Sequence, residues 1–430
     1  MLPLIVAPAT PLGHAAIAVV RLSGAGLGAA LHRVCGRIPP DRRASLVSIR
    51  DDHGAFDQAV LTVFRGPGSY TGEDVAEVSC HGNPLIVERL VGAFVAAGAR
   101  VASPGEFTRR ALGNGRMDTV GAEAVLATIG STSEAGLALA RSEPQLRSRV
   151  ASLRDRLIDV SAELEAILDY PGEDLLFSTD GQIESELLSV AGEARRLAMS
   201  WRAGEVALEG ARVALIGKVN AGKSSLFNAL LGTDRAIVAA SPGTTRDVVE
   251  SALVVPGGRL VLVDTAGERE GDDVGEIEHE GIARARIAGE EADLRVVCLP
   301  ATGDGEAGPA RGPALRVATQ IDLGAPTFAF DFAVSVVSGE GVGALRAALL
   351  PAITGVSTDA ERIVTSARQR DVLLGLARAA EAAAGALSTA GPAVAVTELA
   401  AALRHADGFA GRDTGEAVLD RLFARFCVGK

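Results

Sequence analysis

The sequence predicts a multidomain α/β protein: an N-terminal α+β module over 1–113, a helical bundle over 114–208 plus 354–430, and a doubly wound, mostly parallel α/β domain over 209–353 inserted into that bundle. Three observations carry the prediction. Short β-rich runs at 15–22, 59–64 and 75–80, a turn cluster Arg65-Gly66-Pro67-Gly68 and one helical stretch near 87–97 define the first piece. Helical spacing at Leu153, Leu157, Val160, Leu164 and Ile167 defines the second, with Pro171-Gly172 as its main interruption. Strands and helices then alternate at 213–216, 224–231, 260–263 and 296–299, as a parallel sheet with crossover helices requires. From Ile363 the chain returns to Ala/Leu-rich helix. Short helices need packing partners, so the two helical flanks read as one domain that the α/β piece interrupts.

Composition bounds the function. At roughly 100–200 residues per domain, 430 residues make two to four domains. A hydrophobic content of 48% with 22% charge excludes a disordered chain. The net charge of −12 repels nucleic acid unless a basic patch or a partner offsets it, which argues against a free-standing nucleic-acid binder. Cys35, Cys80, Cys298 and Cys427 lie far apart without metal-ligand spacing, which favours a reducing compartment, the cytoplasm, over a zinc site or disulfide scaffold. The first eleven residues lack a basic leader and contain Pro3, Pro8 and Pro11, against a signal helix. The longest uncharged apolar stretch, 382–397, contains Gly391-Pro392 and falls short of the ~20 residues a span needs, so no membrane segment is expected.

The sharpest motif follows the run Val213-Ala214-Leu215-Ile216. Gly217-Lys218-Val219-Asn220-Ala221-Gly222-Lys223-Ser224 matches a phosphate loop, G-x-x-x-x-G-K-[ST], between a strand and a helix. Its glycines let backbone N–H groups wrap phosphates, Lys223 reaches the β/γ-phosphates, and Ser224, with Ser225 beside it, offers a hydroxyl to Mg²⁺. Downstream, Gly243-Thr244-Thr245-Arg246-Asp247 supplies a switch threonine, Thr245, for Mg²⁺. Asp264-Thr265-Ala266-Gly267 ends a strand where a metal-side aspartate and a γ-phosphate-sensing glycine belong. Three motifs in this order point to a GTPase of the Ras-like kind. The base-reading motif departs from Asn-Lys-x-Asp: it stands as Thr319-Gln320-Ile321-Asp322, with Ser335-Val336-Val337 in the place of Ser-Ala-Lys. The Asp322 carboxylate still accepts from the guanine N1–H and amino group, which adenine lacks. Loss of the lysine stem over the base and of the asparagine that braces the loop predicts weaker affinity.

Further segments extend the pattern: Ala7-Pro8-Ala9-Thr10-Pro11, the run from Ala16 to Gly24, Ser69-Tyr70-Thr71-Gly72-Glu73-Asp74-Val75, Pro104-Gly105-Glu106-Phe107-Thr108, Asn114-Gly115-Arg116-Met117-Asp118, and the terminal Phe426-Cys427-Val428-Gly429-Lys430. Over nearly its whole length the chain resembles the MnmE (TrmE) family of bacterial tRNA-modification GTPases. The resemblance implies a tetrahydrofolate-binding N-terminal domain that forms a homodimer. It implies a partnership with the flavoprotein MnmG in a heterotetramer, acting on the wobble uridine of certain tRNAs. The one-carbon source is then 5-formyl- or methylene-tetrahydrofolate. By the same likeness the folate contacts fall on Arg21, Glu77, Arg116 (where the family usually has lysine) and Lys430, and Cys427 acts in the one-carbon chemistry. A potassium ion takes oxygens from Asn220, Thr244 and the carbonyls of Ala239 and Ser241, and so stands in for an arginine finger. Glu270 orients the attacking water, although Glu268 stands where the family is usually apolar.

Competing readings are weaker. Gly24-Ala25-Gly26-Leu27-Gly28-Ala29 fits G-x-G-x-x-A, but a plain turn into a helix suits it better than a dinucleotide site. A ribosome-assembly GTPase would share the phosphate loop but not the N-terminal segments or the Cys-x-Gly-Lys ending.

Overall fold

The computed structural model describes residues 2–169, 178–232, 249–264, 292–306, 312–355, 364–411 and 416–429. The chain forms two compact units, Met1–Leu126 with Asp407–Lys430, and Ala127–Ala406.

In the first unit a six-stranded sheet is ordered β3-β4-β5-β2-β1-β6, with β1 Ile5–Pro8, β2 Ala15–Ser23, β3 Ser45–Asp51, β4 Gly54–Phe64, β5 Val75–Gly82 and β6 Arg100–Val101. Helices α1 (Leu27–Cys35) and α2 (Pro84–Ala96) share its core, which includes Val20, Leu22, Leu31, Leu61, Val78, Leu90 and Phe94. Side chains alternate across a strand, so Arg21, between buried Val20 and Leu22, stands on the opposite face. Register pairs it directly with Glu77 on β5. His81 and Cys80 likewise face opposite ways: Cys80 is buried, and exposed His81 pairs with Asp57 at 2.7 Å.

The Gly24–Gly28 turn is structural. Gly24 has φ +121°, and a Cβ there would lie 2.7 Å from the Pro3 carbonyl oxygen and 2.9 Å from Arg110 Nη1. Arg110, on α3 (Glu106–Gly113), is buried and bridges Glu73 at 3.0 Å and Glu106 at 2.9 Å, while also donating to the carbonyls of Pro3 and Ser23. Removing one partner of a buried charge network strands the others, so Arg110→Met is expected to destabilise this unit by about 3–5 kcal/mol, read as a lower denaturant midpoint. A shift below about 1 kcal/mol would show the network to be dispensable. Burial pushes the Glu106 carboxyl up, but hydrogen bonds from Arg100, the Ser103 N–H and Arg110 outweigh it and hold the group below its ordinary value of 4.5. A depressed carboxyl contributes stability above that value and loses it as acid titrates the folded state, so the parent is expected to weaken below about pH 4.5.

After α4 (Thr119–Gly130) the second unit carries α5 (Glu134–Ala140), α6 (Glu143–Asp169), α7 (Asp180–Met199) and α8 (Trp201–Glu209). The α6 spacing buries Leu153, Leu157, Val160 and Leu164. A second six-stranded sheet follows, ordered β12-β11-β10-β7-β9-β8: β7 Ala211–Ile216, β8 Val249–Val255, β9 Gly258–Asp264, β10 Leu294–Pro300, β11 Ala314–Thr319 and β12 Phe332–Ala333. All pairings are parallel except that of the edge strand β8. Helices α9 (Lys223–Leu231) and α10 (Val342–Thr354) join its core, as does Val206 of α8.

Helix α11 (Ala367–Ala390) packs on α7 and buries Leu373, Leu376, Ala380 and Ala383, and α12 (Pro392–Gly408) follows it. The apolar stretch at 382–397 is therefore split between two helices at Gly391. By length and composition alone α11 is long and apolar enough to cross a membrane, which the sequence pattern had not indicated; Leu373, Leu376, Ala377, Ala380, Ala383 and Ala384 on it are buried.

The units divide the chain differently from the sequence pattern. Asp407–Lys430, assigned with the helical piece, groups with residues 1–126. Phe423 and Phe426 bury against Ala122 and Leu112, and the Thr119 hydroxyl donates to the Gly411 carbonyl. Helical periodicity reports that a face is buried, but not which partner buries it.

Candidate functional site

Buried Val213, Ala214 and Leu215 of β7 carry the chain to Gly217 at the C-terminal edge of the parallel strands, where doubly wound sheets bind ligands. A Cβ on Gly217 would sit 2.5 Å from the Cys298 carbonyl oxygen on β10, so only glycine lets the loop pass. Asn220 is left-handed at φ +62°, and Gly222, at φ +82°, caps α9. The free N–H groups of that helix start favour an anion. Lys223 is buried, and its Nζ donates to the carbonyls of Gly217 at 2.9 Å and Lys218 at 3.1 Å, which hold the ammonium inside the loop.

Asp264 ends β9 in register with Leu215 of β7. Its Oδ1 is buried and has no hydrogen-bond partner among the described residues. A carboxylate oxygen desolvated without a partner is costly, and a hydrated Mg²⁺ would satisfy it, so the residues present fit that ion. Ser224, on the first turn of α9, is exposed toward solvent.

At the base end, Thr319 closes β11. Its Oγ1 donates to the Ala221 carbonyl at 2.8 Å, and Gln320 Nε2 donates to the Asn220 carbonyl at 3.2 Å. This corrects the expectation that losing the consensus asparagine removes the brace on the phosphate loop. A hydroxyl on the β-carbon and an amide on the next residue do that work. Ser335, also assigned to the nucleotide, is buried and donates through Oγ to Asp322 Oδ1 at 2.7 Å, so it orients the carboxylate that the motif assigns to the base.

Among the other assigned residues, Ala239, Ser241, Thr244, Thr245, Thr265, Ala266, Gly267 and Glu270 lie outside the described residues, as does Lys430.

The first unit assembles a second site. Arg21 Nε and Nη2 donate to Glu77 Oε1 at 3.0 and 2.8 Å, and Nη1 donates to the Gly429 carbonyl at 3.2 Å. Its guanidinium lies 5.6 Å from the Tyr70 ring centre and 5.9 Å from that of Phe107. Sequence reasoning assigned neither ring; both lie inside quoted motifs, which was the available signal. The terminal segment is firmly placed. The Cys427 carbonyl accepts from the Gly105 N–H at 3.4 Å, and Gly429, at φ +101°, passes so close to Pro8 that a Cβ would sit 2.1 Å from its carbonyl oxygen. The Cys427 side chain is exposed, whereas burial pushes the Cys35 and Cys298 thiols up to about 12. Arg116 is exposed and lies over Gly72.

A phosphate loop between a parallel strand and a helix, a carboxylate ending the neighbouring strand and an oriented aspartate past β11 define a P-loop GTPase. The family model described as GTP-binding protein TrmE N-terminus matches residues 4–116, and the MnmE helical domain model matches residues 120–427, spanning the α/β insertion. Two relatives named tRNA modification GTPase MnmE align end to end. That of Thermus thermophilus is 42% identical over 439 residues, covering 99% of this chain and 98% of its own; that of Akkermansia muciniphila is 39% identical over 450 residues with the same coverages. The chain belongs to the MnmE family of tRNA modification GTPases, and it is a GTP hydrolase.

Proposed function

We propose that this chain is a potassium-stimulated GTPase that acts as a homodimer with MnmG, installing an aminomethyl or carboxymethylaminomethyl group at carbon 5 of the wobble uridine of certain tRNAs. A tetrahydrofolate derivative supplies the carbon. The observation that carries the reading is the meeting of Arg21, Glu77 and the Gly429 carbonyl, drawn from three distant parts of the chain, beside two aromatic rings. A cation flanked by rings and a carboxylate suits a flat heterocycle with carboxylate tails. Arg116 and Lys430 add cationic contacts in this reading. In the other unit, Lys223 and the α9 N-terminus bind the phosphates and Asp322 reads guanine. Ser224, Thr245 and Asp264 serve the Mg²⁺ side. Asn220 with Thr244, Ala239 and Ser241 holds potassium, whose charge beside the β/γ bridge offsets the charge developing there. Glu270 orients water. The −12 charge leaves tRNA binding dependent on MnmG or on local cations. The cytoplasm is the compartment in which tRNA, GTP and reduced folate meet.

The direct test incubates the full chain with MnmG, tRNA, GTP, methylene-tetrahydrofolate and, in separate reactions, ammonium or glycine as the nitrogen donor, and measures wobble nucleosides by mass spectrometry. The modified uridine is expected only when all components are present, and its formation without folate would overturn the one-carbon assignment. Potassium is tested separately. GTP hydrolysis is expected to run at least tenfold faster in potassium than in sodium, and Asn220→Ala to erase the difference; equal rates for the parent would remove the cation from the mechanism.

A further inference from the structure

The acidity of the chain is confined to one of its two units. Met1–Leu126 with Asp407–Lys430 holds 16 basic and 15 acidic side chains, whereas Ala127–Ala406 holds 26 and 39, so the net charge of −12 is +1 in the first unit and −13 in the second. Within the first unit, residues 32–50 carry five arginines against a single acid, Asp41. They run from the last turn of α1 through the connecting loop and along β3, an outer strand of the sheet. Two of the five are matched: Arg33 reaches Asp52 at 3.3 Å and Arg42 reaches Asp41 at 3.7 Å, while Asp51, at the end of β3, is taken by Arg89 at 2.6 Å. Arg37, Arg43 and Arg50 are exposed and meet no carboxylate among the described residues. Arg37 Nη2 donates to the Leu46 carbonyl of β3 at 2.6 Å. A Cβ on Gly36 would lie 3.1 Å from Arg50 Nη2, which places that guanidinium against the turn leaving α1. From Arg43 to Arg50 the chain covers about 23 Å at ~3.3 Å per residue.

We propose that this edge is a seat for the sugar–phosphate backbone of RNA, with Arg37, Arg43 and Arg50 contacting phosphates of one strand. The proposal rests on the tRNA reading above and supplies the local cations that the net charge demands. Three observations favour RNA over an acidic protein surface. A guanidinium presents a fork that fits a phosphate bidentately, and all five cations are arginine. The edge also belongs to the sheet that carries Arg21. Leu46 pairs with Val60, Val60 with Ser79 and Ser79 with Val19, two residues from Arg21, so β3 lies about 14 Å across the strands from the one holding that guanidinium. A uridine brought to a one-carbon carrier beside Arg21 and Glu77 therefore carries its flanking phosphates over this sheet. Finally, a unit at −13 repels a polyanion, which leaves the first unit as the electrostatically permitted surface. Backbone contacts hold no sequence information, so the edge orients RNA without choosing it. Charge on an outer strand also blocks edge-to-edge pairing between chains, a role that needs no ligand and that the experiment separates.

The experiment measures binding of a fluorescent tRNA transcript with an unmodified wobble uridine to the full chain, by anisotropy, in about 50–200 mM potassium chloride without nucleotide. Each phosphate contact contributes roughly 0.7–0.9 to the slope of log affinity against log salt. The combined variant Arg37→Gln, Arg43→Gln, Arg50→Gln is expected to flatten that slope by about two and to weaken binding about a hundredfold at ~0.1 M salt. Arg43→Gln alone is expected to flatten it by about 0.8. The Arg43 side chain has no hydrogen bond or ion pair among the described residues, so this variant decides if the combined one fails to fold. Lysine at the same three positions keeps the charge and is expected to hold the slope within about 0.5 of the parent. Parental slope and affinity in the combined variant overturn the proposal, and so does a parent whose RNA binding ignores salt. If the combined variant binds RNA as the parent does but no longer captures purified MnmG, the edge is a protein interface. If its RNA binding is parental and its mass in light scattering rises above the parent's, the arginines only guard the strand. The tRNA reading is judged separately, on the parent's wobble nucleosides. A parent that modifies uridine, with a combined variant that binds and modifies normally, refutes the edge alone; a parent that makes no modified uridine refutes the reading, whatever the edge binds.

Discussion

Lys223→Met is expected to lower kcat/KM for GTP about a thousandfold, roughly 4 kcal/mol of transition-state stabilisation. The magnitude follows from where the ammonium sits. It is buried at the start of α9, held on the carbonyls of Gly217 and Lys218, and a charge in such a site is screened by little water. When phosphate enters the loop, the same ammonium meets developing negative charge without having to be reorganised. Methionine fills the space of the stem and removes the charge, so the fold is expected to survive, with an unchanged far-ultraviolet circular dichroism spectrum and a thermal midpoint within a few degrees. Steady-state hydrolysis within tenfold of the parent would show that Lys223 is a structural lysine and that the phosphates bind elsewhere. The neighbouring Asp264 offers an internal comparison. Its orphaned Oδ1 predicts that Asp264→Asn weakens the magnesium dependence of hydrolysis rather than the affinity for nucleotide.

How much of this was legible beforehand depends on the range of the interaction involved. The phosphate loop could be read because its chemistry is local: a strand, two glycines at positive φ and a helix start lie within a dozen residues. The parallel order of the second sheet followed from the same alternation. The Thr319 and Gln320 bonds were not legible, since they cross about 100 positions and depend on where β11 ends relative to β7. A motif match counts residue identities, whereas the loop needs only a donor at the right place, and a threonine hydroxyl supplies it. Ser335 was read as a nucleotide contact because it stands in the motif's position; its bond to Asp322 became visible only with coordinates. The place of the terminal segment was implied by the resemblance and not by any local pattern. Nothing local in Val428-Gly429 demands order, and the order comes from Pro8, Gly105 and Arg21.

That order makes the terminal segment the place where the two activities are expected to separate. Gly429 contributes a carbonyl to the Arg21 side chain and can pass Pro8 only as glycine, so the segment is seated against the end of β1, with Cys427 exposed. Deleting Val428–Lys430 withdraws that carbonyl and the terminal cation and leaves the guanidinium to Glu77 alone. Cys427→Ser keeps the backbone course and exchanges only the thiol, the stronger nucleophile, for a hydroxyl. Both variants are expected to hydrolyse GTP within about twofold of the parent, because the phosphate loop belongs to the other compact unit. Both are also expected to lose wobble-uridine modification by at least a hundredfold when assayed with MnmG, about 2.7 kcal/mol or more of the modification barrier. The two defects are distinguishable by folate. The deletion is expected to weaken tetrahydrofolate binding in calorimetry, since it removes contacts to the ligand site. The serine variant is expected to bind folate normally and fail in the chemistry. If Cys427→Ser modifies tRNA at the parental rate, the thiol takes no part in the reaction and the one-carbon step belongs to other groups around Arg21 and Glu77. If the deletion also keeps parental activity, the seat on Pro8 is an inert packing contact and the folate assignment loses its strongest support.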